Sequence, residues 1–249
     1  YRVMLGHISP KRNEAVVYFD SYIRADKLLE YVAQSKSKHD CDVTHCLVAA
    51  VGLALEQNPR MNRFVAGRRL YQRRERQVTF SAKRKRLDRE AKLAAVKITL
   101  GEGEDFAALC ARINRSIGEE RGDGPTYLDR ELGLLTAIPR PLLVRGVQLF
   151  FWLDHHNLLP ESFIDNDAMY TSVFIANLGS LDMDPGYHHL YEWGNCPVFL
   201  TAGRIIDRPT VEGDTVVPRK TLHLRWSFDE RIDDGLNARF GIEAVKKIL

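Results

Sequence analysis

Two pairs of neighbouring histidines are the residues whose type most directly suggests chemistry. His155 and His156 form one pair, and His188 and His189 form the other. Imidazole side chains bind metal ions and accept protons near neutral pH. Neighbouring side chains in a strand or loop point apart, however, and neither pair is followed by a third histidine or a cysteine three or four positions later. No metal site is therefore predicted at either pair.

Cysteine is the second residue type that could do chemistry here. The chain has four, at Cys41, Cys46, Cys110 and Cys196, and no two of them form a CxxC pair. This spacing favours free thiols in a reducing compartment over a disulfide framework or a zinc site. Cys196 could be a nucleophile, but no histidine is near it in sequence. A buried, inert thiol is therefore predicted at Cys196, and Cys110 is predicted to lie in the core.

The basic residues are unevenly distributed along the chain. The sequence has 36 Lys and Arg against 33 Asp and Glu, but Arg60 to Lys92 contains 13 basic and three acidic residues. Such a block could attract nucleic acid, an acidic protein or a polyphosphate cofactor. Few aromatic residues, Tyr71 and Phe80 among them, interleave with the charges, and the apolar residues alternate as in strands with one solvated face. We therefore expect a solvated surface and no nucleic-acid partner.

Composition limits the class of protein. The chain has 249 residues, of which 45% are hydrophobic and 28% charged, so it can bury a sizeable core. No stretch reaches the 18 apolar residues of a membrane-spanning helix, because Arg145 interrupts the best candidate. A signal peptide is not recognisable either. A single domain over residues 1–249 with a cytoplasmic location is predicted.

Hydrophobic periodicity predicts the elements that must position these residues. Five helices are expected, at residues 26–34, 44–57, 106–117, 142–153 and 236–249, and five strands, at residues 76–83, 93–100, 171–176, 198–202 and 222–228. Asp105 should cap the third helix, and Gly118 and Gly122 should end it. The first two strands should form a hairpin that turns near residues 87–90. The helices at 44–57 and 142–153 are expected to be buried, and the former should be capped by Thr44. This mixture indicates an α+β or mixed α/β two-layer domain.

Three segments in order resemble a known family. The first reads AAVGLAL at residues 49–55, followed by NPRMNR at 58–63. The second reads VFIANLG at 173–179, followed by CPV at 196–198 and LTAG at 200–203. The third reads SFDERIDDG at 227–235. Together they resemble the catalytic domain of the acyltransferase component of 2-oxoacid dehydrogenase complexes, which is related to chloramphenicol acetyltransferase. The resemblance runs from about His7 to Leu249.

The resemblance implies a fold, an assembly and a reaction. Members of the family have a mixed sheet flanked by helices, assemble as homotrimers and place the active site in a channel at each subunit interface. Coenzyme A enters this channel as a substrate from one side, and the acyl acceptor or donor, lipoamide in the complexes, enters from the other. The motif histidine is the general base that acts on a thiol, and the motif serine donates a hydrogen bond to the oxyanion. Such a donor typically contributes about 3–4 kcal/mol.

This sequence departs from the family pattern at both of those positions. Glu230 stands at the histidine position and Ala176 at the serine position, while Arg231, Asp234 and Asn177 match the pattern around them. A carboxylate would need its pKa raised by roughly 3 units, or about 4 kcal/mol, to act on a thiol. Alanine has no donor at all. The candidate catalytic residues are therefore Glu230 and Asp234, and the candidate substrate-binding residues are Ala176, Asn177 and Arg231.

His188 and His189 are candidate substitutes for the missing base. They fall between the Asn-Leu-Gly strand and Cys196, where the family places residues that line the interface. The alternative interpretation is that one of the two packs and the other is solvated. Removal of each imidazole in turn separates these possibilities, since unchanged acyl-transfer rates would exclude both.

Two functions are compatible with the sequence. In the first, the protein is a coenzyme-A-dependent acyltransferase with a remodelled active site. In the second, it is a catalytically inactive homologue that acts as a trimeric scaffold or binds acyl-CoA or a partner protein. The chain contains no stretch that resembles a lipoyl domain, so a lipoyl substrate would come from another protein. No metal is expected, and the basic segment could meet coenzyme A phosphates or an acidic partner.

Overall fold

One six-stranded mixed sheet organises the molecule, for which a computed structural model describes residues 2–36, 38–83, 93–121 and 138–249. Its strands are β1 (Val16–Arg24), β4 (Arg76–Lys83), β5 (Leu93–Leu100), β6 (Val173–Asn177), β7 (Val198–Glu212) and β8 (Thr215–Asp229). Their order across the sheet is β1-β8-β7-β6-β4-β5. The β4–β6 and β6–β7 pairs are parallel, and the other pairs are antiparallel.

A small hairpin and seven α-helices complete the part of the chain that the structure describes. The hairpin pairs β2 (Arg63–Ala66) with β3 (Arg69–Gln72). The helices are α1 (Arg2–Ile8), α2 (Asp26–Lys36), α3 (Val43–Gln57), α4 (Phe106–Arg121), α5 (Arg140–His155), α6 (Glu161–Asn166) and α7 (Gly235–Ile248). This arrangement is the mixed sheet flanked by helices that the sequence predicts, and it forms a single domain.

The main core lies between one face of the sheet and helices α2, α3, α4 and α7. Alternate strand residues point into it, and the largest of these is Trp226, which is fully buried. Helix α3 supplies the centre of this layer, because Leu47, Val48 and Val51 are all buried. The apolar character of α3 therefore predicts its buried position correctly.

The second face of the sheet is covered only in part. Residues 168–170 and 183–196 lie over it on the β6 side, where Phe174 and Phe199 stack at 4.8 Å and pack with Leu190. Towards β1 this face carries the exposed side chains of Tyr18 and Tyr22. The second face thus has a closed part near β6 and an open part near the β1 edge.

Strands β7 and β8 continue beyond the sheet as a two-stranded ribbon. Strand β1 pairs with β8 only as far as Thr221, whereas β7 and β8 stay paired out to Glu212 and Thr215. Two turn residues, Gly213 and Asp214, close the ribbon, and Gly213 has a positive φ of 61°. The ribbon therefore projects from the body with both of its faces uncovered by other strands.

Helix α5 corrects a sequence-based prediction. The helix at residues 142–153 is present, but it contains no buried residue, so the expectation of a third buried helix is wrong. Its Phe150 ring stacks on Trp193 at 4.0 Å, which attaches one side of the helix to the body. The opposite side leaves Leu149 and Trp152 exposed. Periodicity identified the helix but could not reveal how little of it the rest of the chain would cover.

The structure also differs from the predictions at some helix ends and helix caps. The N-cap of α3 is Asp42 instead of Thr44, because the Asp42 carboxylate accepts hydrogen bonds from the backbone N–H groups of Thr44 and His45. Asp105 does cap α4, as predicted, through the N–H of Ala108 at 2.7 Å. Helix α4 continues past Gly118 to Arg121. The expected stop at Gly122 and the hairpin turn at residues 87–90 lie outside the described residues.

Three strands were not predicted, and one strand has a different environment. The sequence analysis did not identify β1, β2 or β3. Strand β4 was expected to have one solvated face, but Thr79 on that face is fully buried and donates a hydrogen bond to the carbonyl of Ala168. This expectation is wrong because β4 lies inside the sheet, between β5 and β6, and the segment before β6 covers its second face.

Candidate functional site

The loop after β8 holds Glu230 between two buried, paired charges. The Arg231 guanidinium donates two hydrogen bonds of 2.8 Å to the Asp229 carboxylate, and both side chains are buried. Such a fork-to-fork pair fixes geometry as well as charge. The backbone N–H of Glu230 donates to the carbonyl of Ala15 at 2.9 Å, and its side chain is exposed. The local structure thus presents the Glu230 carboxylate outward from a rigid loop.

Arg12 supports this loop from outside, and no sequence pattern pointed to it. Its Nε lies 3.8 Å from Asp229 Oδ2. Its two terminal nitrogens donate to the carbonyls of Tyr191 and Gly194, the latter at 2.9 Å. Since Arg12 is buried, these contacts connect the start of β1 to the loop before β7 and to the Glu230 loop. An isolated arginine in a polar stretch gives no periodic or motif signal.

Asp234 and its neighbour Asp233 lie where helix α7 begins. Asp234 is the N-cap residue, and its Oδ1 accepts a hydrogen bond from the N–H of Asn237 at 2.9 Å. Asp233 is buried and lies 3.4 Å from Arg63 NH1. Asp234 is therefore positioned to stabilise the helix start, four residues after Glu230. Arg231, a candidate substrate ligand, is engaged by Asp229 and by the carbonyl of Pro10 at 2.8 Å.

Ala176 and Asn177 lie at the end of strand β6, at the end of the sheet opposite to the Glu230 loop. Ala176 belongs to the small apolar cluster of the second face, and its methyl group offers no hydrogen-bond donor. Asn177 donates through Nδ2 to Thr44 Oγ1 at 3.1 Å, which joins the end of β6 to the start of α3. Residue 179 must be a glycine, because a Cβ at this position would collide with the carbonyl of Gly203. Asn177 and Gly179 thus have a structural explanation in this chain.

Glu230 and Ala176 are far apart within one chain. In the sheet register, Ala176 lies beside Thr201, which lies beside Arg225. Glu230 is five residues beyond Arg225 and two strands away from Ala176, which corresponds to about 15–20 Å at normal strand spacings. A single copy of the chain therefore cannot bring the two positions to one substrate.

His188 lies on the same face of the sheet as Ala176. Its ring stacks on Phe199 with centroids 3.8 Å apart, and Phe199 is two residues before Thr201 on β7. Burial lowers the pKa of His188. Its Nδ1 lies 2.6 Å from the carbonyl of His189, which can only accept, so Nδ1 carries the proton and Nε2 keeps its lone pair. Burial thus favours the neutral form of His188, whose ring lies over Phe199 on the second face of the sheet.

The other predicted residues occupy simpler positions. His189 is exposed, with Nδ1 3.0 Å from the carbonyl of Leu190. His155 and His156 lie at the exposed end of α5. Cys196 is buried, and burial raises the pKa of its thiol, in agreement with the predicted buried cysteine. Cys110 is buried as predicted.

The open part of the second face carries aromatic and charged side chains that interact with one another. Asp20 on β1 accepts hydrogen bonds of 2.7 Å from His223 and from Arg225 on β8. The Arg225 guanidinium lies 3.7 Å from the centre of the Tyr187 ring, and Tyr22 stacks on His223 at 4.4 Å. Side chains held in this way present a preorganised surface beside His188 and the β1 edge.

No group of three or more His, Cys, Asp or Glu side chains in the part of the chain that the structure describes is arranged to hold a metal ion. None of the helices in the described ranges combines the length and apolar character needed to cross a bilayer.

Comparisons with known proteins place this fold. No model of a known protein family matches the sequence. A segment of 46 residues is 46% identical to the lipoamide acyltransferase component of the branched-chain alpha-keto acid dehydrogenase complex of Pseudomonas aeruginosa. That segment is 18% of this chain and 11% of the relative. The chain thus matches only a small part of the curated relative's length.

Solved structures cover nearly all of the chain at low identity. A probable dihydrolipoamide acetyltransferase from Listeria monocytogenes aligns with a TM-score of 0.66 and 15% identity, over 99% of this chain and 87% of that one. The Azotobacter vinelandii dihydrolipoamide acetyltransferase aligns with a TM-score of 0.65 and 15% identity, over 93% and 80%. A chloramphenicol acetyltransferase aligns with a TM-score of 0.61 and 11% identity, over 100% and 94%. The chain therefore has the fold shared by chloramphenicol acetyltransferase and the catalytic cores of the 2-oxoacid dehydrogenase acyltransferases, as its sequence motifs predict.

Proposed function

We propose that this protein transfers acyl groups between thiols at a site formed by two neighbouring copies of the chain in a homotrimer. One thiol is coenzyme A, and the other belongs to a lipoyl group carried by a different protein. The observation that carries the proposal is the placement of Glu230 and Ala176. Each stands in a rigid local frame at opposite ends of one sheet, so that a functional site would need both ends from different copies.

Spacing along the chain supports this assignment. In the Azotobacter vinelandii dihydrolipoamide acetyltransferase, a serine, a histidine 52 positions later and an asparagine four positions after the histidine have a role in the catalytic mechanism. In this chain, Ala176 precedes Glu230 by 54 positions, and Asp234 follows Glu230 by four. The three positions therefore correspond in order and nearly in separation, although all three residue types differ.

The proposed reaction needs a base and a place for negative charge. A base takes the proton of the attacking thiol, whose ordinary pKa is about 8.5, and the thiolate attacks the thioester carbonyl carbon. The tetrahedral intermediate then collapses, the bond to the leaving sulfur breaks, and the protonated base returns its proton to that sulfur, which releases the second thiol. Two groups are candidates for the base, the Glu230 carboxylate and His188 Nε2. His188 would act in the copy that carries Ala176, whereas Glu230 would reach that site from the neighbouring copy.

Substrate binding is proposed from the distribution of charge. The 3′,5′-ADP portion of coenzyme A is anionic, and the second face of the sheet carries Arg225, with Arg204 and Arg208 on the adjoining ribbon. Ion pairs with Asp20 and Asp184 offset the charges of Arg225 and Arg204. The Arg208 guanidinium lies 4.7 Å from the centre of the Tyr22 ring and forms no ion pair with a described residue, so it is ordered and its charge is available. Positively charged groups that are already ordered bind phosphate with little loss of side-chain freedom.

The proposal is tested by mixing the protein with acetyl-CoA and dihydrolipoamide and measuring the release of free coenzyme A. Turnover that falls at least tenfold in His188→Ala and changes little in Glu230→Gln identifies His188 as the base. The reverse result identifies Glu230. Glu119→Gln is a matched control, because Glu119 is an exposed carboxylate on α4. Binding of acetyl-CoA without turnover would contradict the proposed activity.

A second function is favoured by one observation. The Ala176 side chain cannot stabilise an oxyanion, and removal of one such donor typically slows acyl transfer about 10²–10³-fold. A chain with this loss would suit a catalytically inactive, trimeric binding protein for acyl-CoA or for a partner enzyme. Calorimetric binding of acetyl-CoA in the absence of turnover, with no rate gained when a serine replaces Ala176, would favour this second function.

A further inference from the structure

A groove lies on the helix-covered side of the molecule, away from the candidate site. It is bounded by α2, α3, α4, the turn after β5 and the end of α7, and its volume is about 620 Å³. Ligand pockets commonly have volumes of about 300–1,000 Å³. The sheet separates this groove from Ala176 and His188, so a ligand bound here would not occupy the proposed acyl-transfer site.

Apolar side chains line the groove. Leu53 on α3 points into it and is 45% exposed, although the rest of α3 is largely buried. Leu28 and Leu100 lie on either side, and the rings of Tyr31 and Phe106, 5.5 Å apart, form one wall. An exposed leucine at the centre of an otherwise core-forming helix leaves apolar surface that a ligand would remove from water.

The acidic side chains at the rim of the groove are paired, whereas two of the basic side chains there are not. The Glu56 carboxylate is paired with Arg76 at 2.5 Å, and the Glu104 carboxylate is paired with Arg112 at 2.6 Å. Lys27 and Lys247 also stand at the rim, both are exposed, and neither forms an ion pair with any residue that the structure describes. The rim therefore offers two ammonium groups while its carboxylates are already neutralised.

We propose that this groove binds a long-chain fatty acid. Its single alkyl chain would lie along Leu53 and Leu100, and its carboxylate would meet Lys27 and Lys247. An alkyl chain suits these walls because the backbone N–H and C=O groups of α2, α3 and α4 are bonded within their own helices, which leaves few partners for a peptide. The proposal concerns a site separate from acyl transfer and does not depend on that activity.

Calorimetry with saturated fatty acids of eight to sixteen carbons tests the proposal on the whole protein. Affinity should rise about fourfold for each added methylene until the chain fills the groove. Leu53→Glu should weaken the binding of the sixteen-carbon acid at least tenfold, because it places a charge in the groove. Leu236→Glu is the matched control, since Leu236 is an exposed leucine on α7 that does not line the groove.

A second set of variants tests the role of the charged rim. Replacement of both Lys27 and Lys247 by alanine should weaken fatty acid binding but leave the binding of the uncharged alcohol of equal chain length unchanged. Ala49→Phe, which fills the groove without a charge, should also weaken binding and guards against an effect of Leu53→Glu on folding.

Three results would overturn the proposal. They are an affinity that does not depend on chain length, an affinity for fatty acid that Leu53→Glu leaves intact, and a change in sedimentation mass in Leu53→Glu that would show a second copy in the groove. Coenzyme A release from acetyl-CoA should be unchanged in Leu53→Glu, so failure of the groove and failure of the acyl-transfer proposal are distinguishable.

Discussion

At the scale of single residues, Ala176 is the position whose change should reveal most about activity. Ala176→Ser would place a hydroxyl donor at the position that the proposal matches to a serine of the Azotobacter vinelandii dihydrolipoamide acetyltransferase. If the chain transfers acyl groups, the rate of coenzyme A release should rise by about a hundredfold, because one oxyanion donor is worth about that factor. Ala202→Ser, in the buried core, is a control for general effects of an added hydroxyl.

Asp229 gives a prediction about stability instead of activity. Asp229→Asn leaves the buried Arg231 guanidinium without its carboxylate, and loss of one partner of a buried ion pair typically costs about 3–5 kcal/mol. The free energy of unfolding in urea measures this loss. Asp184→Asn is the comparison, because its pair with Arg204 is exposed and should contribute less than about 1 kcal/mol. Equal effects of the two changes would contradict the role assigned to the Asp229–Arg231 pair.

At the scale of elements, helix caps were predicted less well than helices. The sequence predicts α3 and α7 to within one residue at each end, because their apolar periodicity is strong. The cap of α3 was assigned to Thr44, yet Asp42 bonds the free N–H groups. Either residue type can cap a helix. The Thr44 hydroxyl instead accepts from Asn177, a contact between distant parts of the chain that no local pattern contains.

The cap assignment leads to a second test of stability. Asp42→Ala removes the acceptor for the N–H groups of Thr44 and His45 and should lower the free energy of unfolding by about 1 kcal/mol. Asp40→Ala, at an exposed residue just before the cap, should change it by less than about 0.5 kcal/mol. Thermal unfolding of both variants measures the difference, and a larger loss in Asp40→Ala would show that the cap lies elsewhere.

Strands and exposed helices were harder to predict for a different reason. The edge strand β1 alternates Tyr18, Asp20 and Tyr22 on one face, so neither an apolar run nor a plain polar face marks it. Helix α5 has the composition of a buried helix but leaves most of its apolar side chains exposed. The exposure of β1 and of α5 depends on which segments cover the two faces of the sheet. The packing of the whole molecule determines this, and no local sequence pattern contains it.

At the scale of the whole molecule, the separation of Glu230 and Ala176 allows a complementation experiment. If each site combines one end of the sheet from one copy with the opposite end from its neighbour, two inactive variants should restore activity when they assemble together. The first variant is Asn177→Ala, which alters the end of β6. The second must alter the opposite end of the sheet, as Glu230→Gln does. His188→Ala would not serve, because His188 and Asn177 belong to the same part of the proposed site. A mixture of Glu230→Gln and Asn177→Ala trimers should then contain about a quarter intact sites.

The readout is coenzyme A release after the two purified variants are unfolded and refolded together. Activity should exceed that of either variant refolded alone and approach about a quarter of the unmodified protein. Sedimentation of the mixture checks that trimers form. If trimers form and activity stays at the level of the single variants, while each variant alone is impaired, the site does not lie between copies.

The sequence predicted the overall fold because three short motifs mark the strand ends and loops that define it. The geometry of the candidate site was less predictable. Arg12, which joins three segments around Asp229, has no sequence signal, and the stacking of His188 on Phe199 depends on how residues 183–196 lie over the sheet. Motifs therefore identified the positions, and tertiary contacts determined which side chains surround them.

The ribbon formed by the outer parts of β7 and β8 has a practical consequence. Its last residues pair only with each other, and a side chain at Gly213 would meet nothing within 4 Å. Additional residues inserted between Gly213 and Asp214 would lengthen the turn without entering the body of the molecule. A fluorescent dye attached there would lie away from the body of the molecule. Energy transfer between dyes on different copies would then report how far apart the tips stand once the subunits have come together.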